Sequence, residues 1–332
     1  MKIFKGFLLF IVIFFLVFLV VTIFLPSHYR VERKIELKTS SPFVFYLIND
    51  LRNWKYWDPW WKLDTTQVRI YEGPIFGKNA SFRWSSKNRN IGTAEVKIIE
   101  DKPFEFIKLN FLFGRGMSSV SEFRFFNFGD RISLVWSLEG DLKFLAKWFR
   151  FFMDEAIGKD FAEGLSKIKS IAEKAESERF VCFRDSFPKV DIIYISDSTA
   201  SSRMEFLQKF NETLLELLEF SKEKNLQLLG NPIAIYKGKS KNILSFDVCI
   251  PVVLADSIEV SGRIQKGTIL SFNVLRCVAL GNINDFDYLN SKIQNYLTNN
   301  GLSAKWKMFE MFYTDPLKTN PKDNLSIIYC PL

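Results

Sequence analysis

The stretch GFLLFIVIFFLVFLVVTIFL, Gly6 to Leu25, runs for twenty residues without a charge, and it narrows what the N-terminus can become. A helix needs roughly 20 apolar residues to cross the hydrocarbon core of a bilayer. The apolar core of a secretory signal peptide is usually only about 7–15 residues long. The following FLPSHYR offers neither a small-x-small cleavage site nor a lipobox cysteine. The sequence therefore predicts a retained single-pass anchor over residues 1–27. Its orientation stays open. Lys2 and Lys5 precede the apolar run while Arg30, Arg33, Lys34 and Lys38 follow it, and the positive-inside rule weighs these flanks almost equally.

The formal charge of +8 is unevenly spread. From residue 181 onward, 17 basic residues meet 16 acidic ones, leaving +1, so the first 180 residues carry the remaining +7. Residues 1–38 alone hold +4, which makes anionic membrane lipid a natural partner. No helix-turn-helix, basic helix or zinc-finger spacing points to nucleic acid. The single histidine, His28, lies close to the apolar N-terminal run, which argues against Ser-His-Asp and Cys-His catalysis and against zinc sites built on several histidines. Cys182, Cys249, Cys277 and Cys330 form no CxxC pair and read as small buried hydrophobes. Neither a metal nor a cofactor is predicted, and no protein partner can be named.

Beyond the anchor, residues 28–178 read as one α+β domain. RVERKIELKTSSP is a strand entering a helix, with Ser41 as cap and Pro42 in the first turn. Trp54, Trp57, Trp60 and Trp61 fall within eight residues, and Pro59 places them in an irregular turn, where core packing, a cavity mouth or a membrane-interface contact would each account for them. TAEVKII and RISLVWSL alternate as strands, with Ala94, Val96 and Ile98 on one face and Ile132, Leu134, Trp136 and Leu138 on another. A helical stretch from Leu142 to about Glu176 carries the apolar stripe Phe161, Leu165, Ile168 and Ala172. SSPFVFYLINDLRNWKYWDPW, YEGPIFGKNASFRW, VWSLEGDL and FMDEAIGKDFAEGLSKIK resemble the START-like, polyketide-cyclase-type superfamily (SRPBCC). That resemblance implies a helix-grip fold, a sheet wrapped on a long C-terminal helix around a deep apolar cavity, and location at a bacterial cytoplasmic membrane.

A charged, irregular linker near residue 180 separates a second domain, residues 186–332. It contains an internal repeat in which each half reads strand, helix, strand, strand, the halves ending at Pro251 and Pro331. Such halves pack about a pseudo-twofold axis and leave a groove at their junction, a common ligand position. In the second half, KWKMFEMFYTDP reads as a strand whose face carries Trp306, Met308, Glu310 and Phe312, so one acid lies among rings and a thioether. Either Glu310 meets a lysine or arginine across the sheet, or it points into a wet groove suited to an organic cation. Tyr236 and Phe246 are candidate walls from the first half, and Asp315-Pro316 reads as a turn device.

LGNINDFDYLNSKIQNYLTNNGLSAKWKMFEMFYTDP followed by NLSIIYCPL is similar to the GyrI-like effector-binding domain. The resemblance implies a small-molecule pocket in which the acid matching Glu310 meets cationic or polar ligands, with Trp306 beside it. The chain departs from that family at Gly281-Asn282-Ile283, where a Gly-Pro-Tyr-like turn is usual, and in NLSIIYCPL, which lacks a further acid. Together these readings predict a membrane-anchored binding protein that senses, buffers or sequesters a small hydrophobic or cationic amphipathic molecule. The alternative is a hydrolase or cyclase with Glu310 as general base and Trp306 and Tyr313 positioning it. A third reading is an accessory protein whose partner binds the Trp54–Trp61 aromatic surface.

Overall fold

The computed structural model describes residues 2–88, 91–114, 116–254, 258–281, 286–304 and 308–332. Helix α1 (Lys2–Phe24) projects its apolar side chains outward and is long and apolar enough to cross a membrane. Three residues later, β1 (His28–Leu37) begins the first sheet. It is followed by α2 (Ser41–Asn49), α3 (Trp54–Trp57), α4 (Pro59–Leu63), β2 (Val68–Glu72), β3 (Ser81–Ser85), β4 (Thr93–Lys102), β5 (Phe106–Phe113), β6 (Met117–Asn127), β7 (Ile132–Asp141) and α5 (Arg150–Glu178). Among the described residues these strands form one antiparallel sheet in the order β1-β7-β6-β5-β4-β3-β2.

The alternation in β4 is the burial alternation observed, whereas β7 buries Ser133 and Ser137 as well as Ile132, Leu134, Trp136 and Leu138; the α5 stripe Phe161, Leu165, Ile168 and Ala172 is buried. Trp136 of β7 stacks on Phe161 with ring centroids 3.8 Å apart. This approach uses Gly164, where an added Cβ would stand 2.9 Å from the Trp136 ring. Two expectations need correction here. Pro59 does not leave the tryptophans in an irregular turn. It opens α4 at a position that needs no backbone N–H, with Asp58 accepting from the Trp60 amide at 2.8 Å. Trp54 and Trp57 are fully buried and touch Phe123, while Trp57 also meets Trp136. Their indole N–H groups donate to Ile48 and Leu47 carbonyls at 2.9 and 3.1 Å, which removes the penalty of burying them. These rings pack edge to face against Phe123 of β6 and Trp136 of β7. Ser41 is not the helix cap either. It lies inside α2, and its hydroxyl bonds Asn127.

The segment between β7 and α5 faces outward. A 3-10 turn, Phe144–Phe149, leads into α5, and Phe144, Leu145, Phe149, Phe151 and Phe152 are all exposed. The turn leans on the end of α1. Trp148 stacks on Phe18 at 5.0 Å and donates to Thr22 Oγ1 at 2.7 Å, while Lys147 reaches the Thr22 carbonyl at 3.2 Å.

The chain from residue 179 onward is not an irregular linker. Arg179 adopts a left-handed conformation (φ 53°) after α5, and β8 (Phe180–Phe187) starts at once as an edge strand of the second sheet. The remaining elements are β9 (Val190–Ala200), α6 (Arg203–Glu223), β10 (Ile233–Ser240), β11 (Ile243–Pro251), β12 (Gln265–Ile269), β13 (Phe272–Leu280), α7 (Phe286–Asn299), β14 (Phe309–Phe312) and β15 (Leu325–Pro331). Their antiparallel order, β12-β9-β11-β10-β14-β15-β13-β8, is a mirror arrangement about the β10–β14 pair. Each half supplies strand, helix, strand, strand, so the repeat is a structural one.

A further correction concerns the cysteines. Cys182 and Cys277 lie opposite one another on β8 and β13 and form a disulfide, while Cys249 and Cys330 remain buried thiols.

The two sheets share one hydrophobic core, in which Phe187, Phe309, Met311 and Tyr329 continue the packing of Phe43, Tyr46 and Trp54. At its edge Arg276, only 2% exposed, donates to Tyr46 Oη, to Asp50 Oδ2 at 3.2 Å, and pairs with Asp185 Oδ2 at 2.9 Å. Arg52 also holds Asp50 and Lys55 also holds Asp185. The domain junction is thus closed by a buried charge network.

Candidate ligand-binding site

Glu310 lies in β14 between β10 and β15, opposite Ala234 and Ile328. Its neighbours Phe309 and Met311 turn to the core shared with the first domain, whereas Phe312 turns to the face covered by α6. Met308, just before the strand, packs with the residues under α7. Glu310 therefore sits at the seam between the two halves, on the central pair of strands.

Its carboxylate is fully buried, and its charge partner comes from the covering helix rather than from a neighbouring strand. Arg203, the first residue of α6, gives a bidentate pair, Nη2 to Oε1 at 2.6 Å and Nη1 to Oε2 at 2.8 Å. Tyr236 of β10 donates its hydroxyl to Oε2 and accepts from Arg203 Nη1 at 3.1 Å. The guanidinium carbon lies 5.4 and 5.7 Å from the Phe206 and Phe312 rings, within cation–π range. A cation at the N-terminus of a helix opposes the helix dipole, so Glu310 and the rings account for its place there.

Burial alone would raise the Glu310 pKa, but the Arg203 charge and the hydrogen bonds from Arg203, Tyr236 and Ser326 reverse this and hold it below its ordinary value. A general base needs a free acceptor and a pKa near the working pH. Glu310 has both oxygens engaged and a depressed pKa, so it is a poor proton acceptor.

Beside the pair, the junction of β10 and α7 forms a groove of about 280 Å³. Tyr236, Leu244, Leu289, Ile293, Met308 and Ile328 line it, with Lys237 and Lys239 at its rim. The β10–β11 ladder slips between Tyr236 and Gly238, a bulge of the kind that re-aims side chains beside sites. The tyrosine is thus shared between the groove and the buried pair.

The structure brings Glu310, Tyr236 and Phe312 together around Arg203 and puts Met308 on the groove. Phe312 and Phe246 are buried in the core under α6, and Phe312 also lines a small pocket of about 20 Å³ beside Arg203. Phe312 packs on Phe210 at 4.6 Å, and Phe246 meets Phe206 edge-on at 4.9 Å. Trp306, like Lys305, Lys307, Asn282 and Ile283, lies outside the described residues. Asp315 serves its turn, accepting from the Leu317 and Lys318 amides at 3.0 and 3.3 Å. No group of three or more metal-ligating side chains occurs among the described residues. Sequence reasoning missed Arg203, although a signal existed: Arg203, Phe206 and Phe210 share one helical stripe, so a base stands on an apolar face here just as Glu310 does in β14.

No protein-family model matches the chain, and no curated protein matches it. Solved structures give distant likenesses. A cryo-EM structure of an EcmrR–DNA complex is similar at a TM-score of 0.40 and 14% identity, over 55% of this chain and 69% of that one. The crystal structure of the EcmrR C-terminal domain gives 0.39 and 12%, over 46% of this chain and 96% of that domain. The Aha1 dimer from Colwellia psychrerythraea gives 0.33 and 14%, over 43% and 96%. At such scores the fold description rests on strand order and register instead.

Proposed function

We propose that this chain is a membrane-anchored small-molecule-binding protein whose ligand, a small apolar molecule, enters the groove between β10 and α7 of a GyrI-like domain held beside a START-like domain. The carrying observation is the groove itself. It is close to the lower end of ligand-pocket volumes (about 300–1,000 Å³), lies at the junction of two halves of like connectivity, and has Tyr236 bonded to the buried Glu310. Tyr236 and Met308 contact the ligand, and Glu310 acts through Tyr236. Phe246 and Phe312 pack around the Phe206–Phe210 platform that carries Arg203. A cationic occupant is disfavoured, because Arg203 already neutralises Glu310 and Lys239 adds positive charge at the rim, where Lys237 is paired with Asp247. The mirror strand order supports the GyrI-like reading. The α5 stripe packed on the first sheet supports the START-like one.

Gly238 supplies the test, since it lines the groove and nothing lies within 4 Å of the Cβ it would gain, so Gly238→Trp adds bulk to the groove wall. Titrating the full chain, in maltoside micelles, with naphthalene or 1-decanol should shift the Met308 methyl resonance in the wild type and leave it unmoved in Gly238→Trp. An equal shift in both proteins, or none in the wild type, would remove the groove as the site.

The exposed rings at the start of α5, beside the end of α1, support the membrane setting, because aromatic residues collect at the bilayer interface. The Cys182–Cys277 bridge supports placing the soluble domains on the oxidising side, since disulfides persist there. Denatured protein from intact cells, alkylated without reduction, should expose two thiols, Cys249 and Cys330, and four after reduction. Four thiols before reduction would argue for a reducing compartment.

A further inference from the structure

The junction between the two sheets carries a different and larger cleft, of about 400 Å³. One wall comes from residues 51–81 of the first domain and the other from residues 185–190 and Leu229 of the second. The Ile75 amide donates to the Leu229 carbonyl at 3.0 Å and ties the walls together. Leu51, Trp61, Ile75, Pro188 and Leu229 give the cleft apolar surface.

Its charges are Arg52, Lys55, Arg69 and Lys189 against Glu72 and Asp185. Glu72 is paired outside the cleft with Arg83 at 2.5 Å, and Asp185 pairs with Lys55 of the cleft itself at 2.8 Å and with Arg276 at 2.9 Å. Lys189 is exposed and has no ion pair among the described residues. Arg69 is the most constrained of the four. Its side chain is 4% exposed and its guanidinium lies between the Trp61 and Phe82 rings, 4.7 and 4.8 Å from their centroids. Nη2 donates to Asp58 Oδ2 at 2.5 Å and Nε to Gln67 Oε1 at 3.1 Å. Nη1 is buried and donates to no atom among the described residues. Buried donors nearly always have an acceptor, and a guanidinium fixed in plane favours carboxylate or phosphate oxygens.

We propose that this cleft binds the anionic head, carboxylate or phosphate, of a small amphipathic molecule whose apolar part lies along its hydrophobic wall. Arg69, a lining residue whose Nη1 has no acceptor among the described residues, supplies the donor, and Arg52 and Lys189 supply further positive charge. The site lies apart from the groove beside Tyr236 and takes a charged head, where the groove takes an uncharged apolar molecule.

Isothermal titration of the full chain in maltoside micelles would use octyl phosphate and octanoate, with 1-octanol, octylammonium and inorganic phosphate as comparisons. Octyl phosphate and octanoate should bind at least 10-fold more tightly than octanol, octylammonium or inorganic phosphate. Arg69→Lys keeps a cation for Asp58 but removes the second donor, and Lys189→Glu changes an exposed residue. Each should weaken octyl phosphate by about 10-fold or more, with the melting temperature unchanged in Lys189→Glu, whereas Gly238→Trp should leave that affinity unchanged. Octanol binding as well as octyl phosphate would show that Nη1 takes only water. Inorganic phosphate binding equally well would reduce the site to one for free anions, and wild-type affinity in both cleft variants would place the binding elsewhere. Any of these results overturns the proposal, and loss of binding in Gly238→Trp would move the anion to the groove.

Discussion

Arg203→Met should destabilise the protein by about 3–5 kcal/mol, because it leaves the Glu310 carboxylate buried without a counter-charge, held only by neutral hydroxyls such as that of Tyr236. In a chain of this size that corresponds to a fall in melting temperature on the order of 10 °C. The double variant Arg203→Met/Glu310→Met should recover most of the loss, since a buried pair replaced by apolar groups of similar volume is often neutral. Acidity separates the cases. The Glu310 pKa is depressed in the folded wild type, so the pair's contribution is fully present above the ordinary carboxylate range, about pH 4.3, and is lost as pH falls through the lower folded value. In Arg203→Met, burial without the guanidinium favours the neutral acid, so the gap to wild type should narrow on acidification. Denaturant melts of the three proteins at neutral and acid pH would measure this. A single variant within 1 kcal/mol of wild type would contradict the buried pairing.

Arg276→Met is expected to cost about 3 kcal/mol, near the lower end for a broken buried pair, because Asp50 keeps Arg52 and Asp185 keeps Lys55. Burial would raise the Asp185 pKa, but the Arg276 and Lys55 charges outweigh it and hold that carboxyl below its usual range. The stability lost in Arg276→Met should therefore be largest above the ordinary carboxylate range and shrink as pH falls below it. Arg276→Lys should not restore it, since one ammonium cannot reach Tyr46, Asp50 and Asp185 in the same geometry. Equilibrium unfolding monitored separately by near-UV and far-UV signals would check both variants. A midpoint shift below 2 °C would mean that the network does not hold the junction.

Local pattern carried much of the architecture. The apolar N-terminal run, the alternating strands and the strand-helix-strand-strand duplication rest on periodicities of 2 and 3.6, which survive in one chain's letters. Glu310 stood out for the same reason, an acid on an otherwise apolar strand face. Its partner did not, because a charge at a helix start reads as solvated until the stripe through Phe206 and Phe210 is followed back to Arg203. Pro59 was misleading, since proline both ends helices and begins them. The pairing of Cys182 with Cys277 spans 95 residues and depends on the register of β8 with β13, which no local signal encodes. The cleft holding Arg69 is made by two domains meeting, so neither segment announces it.

The link between α1 and the first sheet is three residues, Leu25 to Ser27, a reach of roughly 10 Å at full extension. Trp148 and Lys147 close the same gap by gripping the helix end. In the proposed membrane setting the soluble body is a passenger fixed against a plane, not a ball on a string. Its encounters are then governed by how densely a ligand populates that surface, so a compound scarce in bulk water but enriched in lipid would meet this protein often.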